Sequence, residues 1–373
     1  MTPRERLLAF LSNEPTDRVP VWLLFPYHPT SYYADVRALP QYREIFAASL
    51  QHAVHLNRRD FHVPLFTPEV ERSQEELTDG PDHVTRTTYR YRGLRLTEES
   101  RETPDGPRRK PLLNSEEDLA TFAGFPIEQD EGRMAASLDE QIARWRVEAA
   151  EFPPHLGAMM DSLGEPVGVI YHHANLEEYA VWSLTAPEQV EAILDALMEQ
   201  SRFLYRYLFE REVGDVVFMV GSELASPPLV SRETFGRWVV PYAQELIALA
   251  HAYNMKVIQH YHGQIKEILP DFLTMAPDAL HTIEAPPVGN CTLTEAFAVV
   301  GDRIGLIGNI QYDEFHRMTP DEMEAAVRTC LDECRGRRFM LSPSAGPYET
   351  EVPRRLRENY LRFMEAGWKY GAA

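Results

Sequence analysis

DVVFMVGSELASPPLVSRETFGRWVVPYAQELIALAHAYNMKVIQHYHG, residues 215–263, holds the repeating unit from which the fold is read. An apolar run (215–223) leads through a turn to RETFGRWVVPYAQELIALAHAYN, whose apolar residues recur at three- and four-residue spacing, and then to a second apolar run (256–263). That order is strand, covering helix, strand. The same alternation extends both ways. Further strand-like runs are VGVIYHH (167–173), DALHTIEAP (278–286), RIGLIGNI (303–310) and RFMLSPS (338–344), and two more, RVPVWLLF (18–25) and DFHVPLF (60–66), lie near the start. Continuous Val/Ile/Leu runs, without clean alternation, suit parallel strands buried on both faces. Eight strand–helix units predict an α/β fold, a (β/α)8 TIM barrel, although an open doubly wound sheet has the same linear pattern. No GxGxxG follows any strand, so a dinucleotide site has no support.

Helix starts are expected at Thr2, at Thr185 before Pro187, at Ser231, and at Thr319 before Pro320, with a last helix beginning near Pro353. Residues 83–99, HVTRTTYRYRGLRLTEE, break the rhythm as a hairpin around Gly93. About 80–150 is therefore read as an excursion from one domain spanning 1–373. Tyr89, Tyr91 and four nearby arginines make it a candidate lid over the barrel mouth.

A formal net charge of −20 repels phosphate backbones and anionic lipid, which disfavours nucleic-acid and membrane-surface roles. Global charge does not set the sign inside a pocket, so a small anionic substrate stays open. No apolar run reaches transmembrane length, and the N-terminus lacks a cleavage site of signal-peptide type. The three cysteines, Cys291, Cys330 and Cys334, have no CxxC spacing and point to a reducing, cytoplasmic setting, with Cys330 and Cys334, four apart on an expected helix, read as packing residues.

A barrel gathers its chemistry at the C-terminal strand ends. Those ends here carry Tyr27 and His28, then Thr67 and Glu69, His172 and His173, Glu223, His260 and His262, Glu284, Asn309, and Ser342 and Ser344. His260 and His262 alternate onto one face, and Glu284 ends the next strand. Two imidazoles and a carboxylate form a ligand set for a catalytic zinc with an open fourth position, while hydrogen-bonded core histidines or substrate contacts would read the same way. Glu223 is a candidate fourth ligand, supporting partner of the ligands, or general base. Tyr27, His28, His172, Asn309, Ser344 and Tyr348 are expected to bind substrate. His281 has opposite parity to Glu284 and is expected to face the helices.

The blocks TPRERLLAFLSNEPTDRVPVW, SRETFGRWVVPYAQELIALAHAYNMKVIQHYHG, DALHTIEAPPVGNCTLTEAF, GDRIGLIGNIQ and LSPSAGPYE, in this order, resemble the uroporphyrinogen decarboxylase superfamily from residue 2 to about 370. The resemblance implies the (β/α)8 fold and often a homodimer. Decarboxylases of the family carry an arginine-rich RQAGRY-like segment after the first strand, where this chain reads FPYHPTSYY. Their aspartate after the second strand is matched here to Thr67-Pro68, and their late GHG histidine to Ala345. The corrinoid and coenzyme M methyltransferase branch uses an HxC zinc site with a second cysteine after the last strand. His260 matches its histidine, while His262 and Ala345 replace the cysteines. The resemblance therefore implies a zinc-dependent methyltransferase-like enzyme moving a methyl group between a small substrate and a corrinoid protein or similar carrier. Decarboxylase-type lyase chemistry is the alternative, and a catalytically silent ligand-binding barrel is a third.

Overall fold

The computed structural model describes residues 1–372. Seven parallel strands form one curled sheet: β1 (His55–Asp60), β6 (Gly157–Gly164), β7 (Val216–Val220), β8 (Lys256–His260), β9 (Ala279–His281), β10 (Gly305–Ile310) and β11 (Phe339–Pro343), neighbours in that order. The intervening strands β2 (Glu71–Asp79), β3 (Asp82–Tyr91), β4 (Leu94–Thr103) and β5 (Gly106–Lys110) make a separate antiparallel sheet. Between the two edges of the parallel sheet stand residues 20–22. Val21 bridges Leu341 and Trp22 bridges Val54, both in parallel sense, with Trp22 N–H donating to the Leu341 carbonyl at 2.9 Å and Val54 N–H to the Val21 carbonyl at 2.7 Å.

Strand alternation sorts the core into two faces. Trp22, Leu56, Met160, Phe218, Ile258 and Ile307 belong to one cluster enclosed by the curl, which Leu7 and Phe10 of the first helix (Pro3–Leu11) plug at one end. The alternate residues, such as Val217, Val257 and Leu306, join the larger cluster beneath the helices. Both faces are therefore dry, which is why most strands read as unbroken apolar runs.

Two strand assignments move. VGVIYHH is the helix Val167–His173, and the strand in its place is Gly157–Gly164. A seven-residue apolar run has no period that separates buried strand from buried helix. DFHVPLF is loop after Asp60, because the strand is the polar HLNRRD, His55–Asp60. Its register with β6, His55 on Gly157 through Asp60 on Ser162, comes from backbone bonds that a polar sequence does not advertise.

The helix starts at Thr2, Ser231 and Thr319 are capped as the sequence predicts, Thr2 and Thr319 by reciprocal Glu partners. Thr185 instead closes the helix Leu176–Thr185, with its hydroxyl on the Val181 carbonyl. The last helix, Arg354–Tyr370, begins where Pro353 directs it. All three cysteines are buried and free. The hairpin around Gly93 exists as β3–β4, but β2 and β5 flank it, and the excursion begins at Glu71. Tyr89 is turned back onto Phe66, 5.8 Å between rings, and Arg86 pairs with Glu99 at 2.9 Å. Those two candidate lid residues are thus engaged within the appended sheet and its base.

Candidate active site

At the C-terminal edge of the curl, β8 and β9 present His260 and His281 in register. Their rings stack at 4.8 Å and 18°, and their Nδ1 atoms are 2.7 Å apart. His281 Nε2 lies 3.2 Å from the Pro343 carbonyl oxygen. A carbonyl only accepts, so that nitrogen carries the proton. Burial holds His281 neutral, with its pKa pulled down to about 3, so its Nδ1 has a lone pair and accepts. His260 must then donate from Nδ1. Burial, with the neighbouring imidazoles, keeps His260 neutral too, which leaves its Nε2 as a bare lone pair. His281 therefore points into the curl beside Trp22 and Phe218, 5.4 and 6.3 Å away, and not toward the helices. The strand ends at His281, so alternation cannot be carried on to Glu284.

His262 stands edge-on to His260, ring centres 4.5 Å apart. Its Nδ1 is 3.3 Å from Glu284 Oε1, and the Gly263 N–H donates to Glu284 Oε2 at 2.6 Å. Burial alone would lower the His262 pKa, but the Glu284 bond and the charges of Glu284 and Glu223 outweigh it and hold it above its ordinary value. Burial pushes Glu284 up, yet His262 and the Gly263 amide keep its carboxyl below the usual range. Glu223 opens the turn Glu223–Ala225 after β7, and its buried Oε2 has no hydrogen-bond partner. Burial raises the Glu223 pKa, opposed in part by the positive field of His262. Gly221 permits this approach. A Cβ there would sit 1.9 Å from the His260 carbonyl oxygen and 2.3 Å from Glu223 Oε2.

Arg58 enters the site from β1. Its Nε donates to Ser162 Oγ at 3.0 Å, and its guanidinium carbon lies 4.7 Å from the Tyr32 ring and 4.8 Å from the Phe218 ring. A cavity of about 400 Å³ opens beside Arg58, lined also by Asp60, Ser162, Glu165, His172 and Val220. Glu165 accepts from Ser222 Oγ at 2.9 Å and from the Tyr261 hydroxyl at 3.3 Å, and burial raises its pKa to about 7. Larger clefts of about 650 and 620 Å³ lie elsewhere, beside Leu184 and Pro228 and beside Glu14 and Arg337.

Residues 159–366 match the sequence model of the uroporphyrinogen decarboxylase (URO-D) family. The chain belongs to the URO-D family. Among relatives, it is 26% identical over 171 residues to the methylated-thiol–coenzyme M methyltransferase of Methanosarcina mazei, covering 45% of this chain and 43% of that protein. It is 26% identical over 182 residues to the methylcobamide:CoM methyltransferase MtaA of Methanosarcina barkeri, covering 48% and 50% respectively. The matched region thus spans about half the length of these curated relatives. A solved structure, "methyltransferase from Methanosarcina mazei", superposes over 99% of both chains with a TM-score of 0.64 at 18% identity, a likeness of fold.

The other expected site residues of this URO-D chain scatter. Tyr27 packs on Phe152, 5.3 Å between rings, and the His28 Nε2 lies 3.3 Å from Glu151, so both sit against the helix Glu131–Glu151. Tyr32 and Tyr33, a few residues on, take the mouth position. His172, on a helix, lines the Arg58 cavity. Asn309 accepts from the Cys330 thiol at 3.3 Å and so faces the helix Pro320–Glu333. Ser344 is buried and donates to Gln311 Oε1 at 3.1 Å, receiving the Tyr312 N–H in turn. Tyr348 is exposed and meets Tyr33 at 5.8 Å and Tyr312 at 5.5 Å. β1 ends in Arg58-Arg59-Asp60, so the family's aspartate is to be compared with Asp60 and not with Thr67-Pro68. Sequence reading missed Arg58, Glu165 and His281. A strand placed five residues late hid the first, a strand read in the helix after it hid the second, and parity carried past a strand end misdirected the third.

Proposed function

We propose that this chain is a methyltransferase that moves a methyl group between a small substrate and a corrinoid protein or similar carrier. The names of its curated relatives support the reaction class. We read the sheet as a closed eight-stranded barrel, a reading supported by the bridges of Val21 and Trp22 across its two edges. Among the described residues no group of three or more His, Cys, Asp or Glu side chains stands in ligand geometry. Zinc is proposed on donor chemistry, and one observation carries it. The chain from the Pro343 carbonyl through His281 fixes the tautomer that leaves His260 Nε2 unprotonated, beside the His262–Glu284 pair and the unpartnered Glu223 oxygen. His260, His262 and Glu284 would hold the metal. Bound there, zinc would act as a Lewis acid on the heteroatom that carries or receives the methyl group.

The protein's own groups supply the rest. Glu223, with its pKa raised, can hand a proton to a departing oxygen or nitrogen, or take one from an attacking thiol or hydroxyl. Phe218 and Trp22, nearly fully buried and in edge contact at 6.0 Å, keep water from the side of the His260 ring that Phe218 packs on. The test is metal content together with methyl transfer to reduced cobalamin from a panel of methylated donors. About one zinc per chain and growth of a methyl–cobalt absorption band are expected. A metal-free protein that transfers methyl at full rate would remove the zinc, and absence of the band across the panel would remove the reaction.

A further inference from the structure

Adjacent arginines on β1 have opposite fates. Arg59 faces outward and pairs with Glu148 on the covering helix. Arg58 faces inward with only 16% of its side chain exposed, yet its closest carboxylate, Asp60, stands 4.0 Å from Nε. The hydrogen bond it makes at Nε goes to the neutral Ser162 hydroxyl. Two aromatic faces stabilise a guanidinium but do not neutralise it. A partly desolvated cation is normally held by a close anionic partner. Arg58 has only the distant Asp60, and both residues border one cavity. Glu165 lines the same cavity, and burial raises its pKa to about 7, so it is only partly ionised at neutral pH.

We propose that Arg58 anchors an anionic group of the substrate, a carboxylate, sulfonate or phosphate, and so sets which small molecules this site accepts. The assignment rests on the proposed reaction only for what happens at the other end of the ligand. Phe218 links the two ends, 4.8 Å from the Arg58 guanidinium and 5.0 Å from the His260 ring. A molecule gripped at Arg58 lies across Phe218 and delivers its reacting atom toward His260 and His262. A guanidinium offers paired N–H donors to an oxyanion, which fixes direction as well as charge.

The test needs no turnover. Methanesulfonate, acetate and inorganic phosphate are titrated by calorimetry at constant ionic strength, with dimethyl sulfone and acetamide as neutral counterparts of the first two. Wild type should bind at least one anion saturably and neither neutral compound. Arg58→Gln should weaken that anion at least tenfold, Arg58→Lys less, and Arg59→Gln, on the outward face of the same strand, should leave it unchanged. The proposal falls if no anion binds saturably, if Arg58→Gln binds like wild type, or if Arg59→Gln abolishes binding as fully as Arg58→Gln. Anion binding that depends on Arg58, in a protein that transfers no methyl group, would sink the reaction and leave the anchor standing.

Discussion

His260 and His281 share one proton position: Nδ1 of the first donates to Nδ1 of the second across 2.7 Å, and the Pro343 carbonyl fixes the direction from behind. The consequence is a His260 tautomer set by backbone geometry three strands away.

Replacing His281 by Phe keeps an aromatic ring on Trp22 but removes the acceptor. His260 should then lose its tautomer preference, seen as mixed ¹⁵N imidazole shifts in metal-free protein. Zinc affinity, measured by chelator competition, should fall about 10- to 100-fold, the usual effect of losing a ligand's supporting partner. Unchanged shifts together with unchanged affinity would contradict the relay.

Glu223→Gln should retain zinc while slowing methyl transfer by about 10²- to 10⁴-fold, the range for loss of a positioned acid or base. Glu284→Gln should lose metal and activity together, because it also frees His262 and the Gly263 amide. Equal metal loss in both variants would make Glu223 a ligand.

Uroporphyrinogen should not be decarboxylated at a useful rate. The loop after Trp22 has no arginine before Arg37, which lies over Tyr27 and donates to its carbonyl at 3.0 Å, and Arg58 offers one guanidinium where a polycarboxylate needs several. Asp60 at the strand end means the case no longer rests on a missing aspartate. Coproporphyrinogen appearing at the rate of a true decarboxylase would refute it.

The apolar runs from Val216 onward gave the strand order directly, since strands buried on both faces must be apolar throughout. His262 with Glu284 and Glu223 was legible for the same reason, as polar residues closing apolar strands. β1 was not, because its outward residues Asn57 and Arg59 are polar and satisfied by tertiary partners absent from any local pattern. Tyr27 and His28 misled because the chain leaves the sheet after Trp22, and the following loop carries them outward before returning Tyr32 and Tyr33 to the mouth.

His55 gives a pH-dependent stability that is independent of the proposed chemistry. Ser49 Oγ donates to the Phe46 carbonyl at 2.8 Å, so His55 Nε2, 3.2 Å from that oxygen, must carry its proton and donate. Its buried Nδ1 has no partner, and burial pulls the pKa down to about 4. Between the unfolded value near 6.5 and that folded value, the unfolded chain binds a proton that the native one refuses. Stability from this group is thus complete above about pH 6.5 and is lost as pH falls toward 4, at up to about 1.4 kcal/mol per pH unit. His55→Gln keeps an N–H for Ser49 and cannot titrate. Chemical denaturation from pH 7.5 to 4.5 should give the variant a lower plateau but a shallower acid limb, the two curves converging as pH falls. Parallel curves would mean that His55 takes up its proton in the folded state as readily as in the unfolded one.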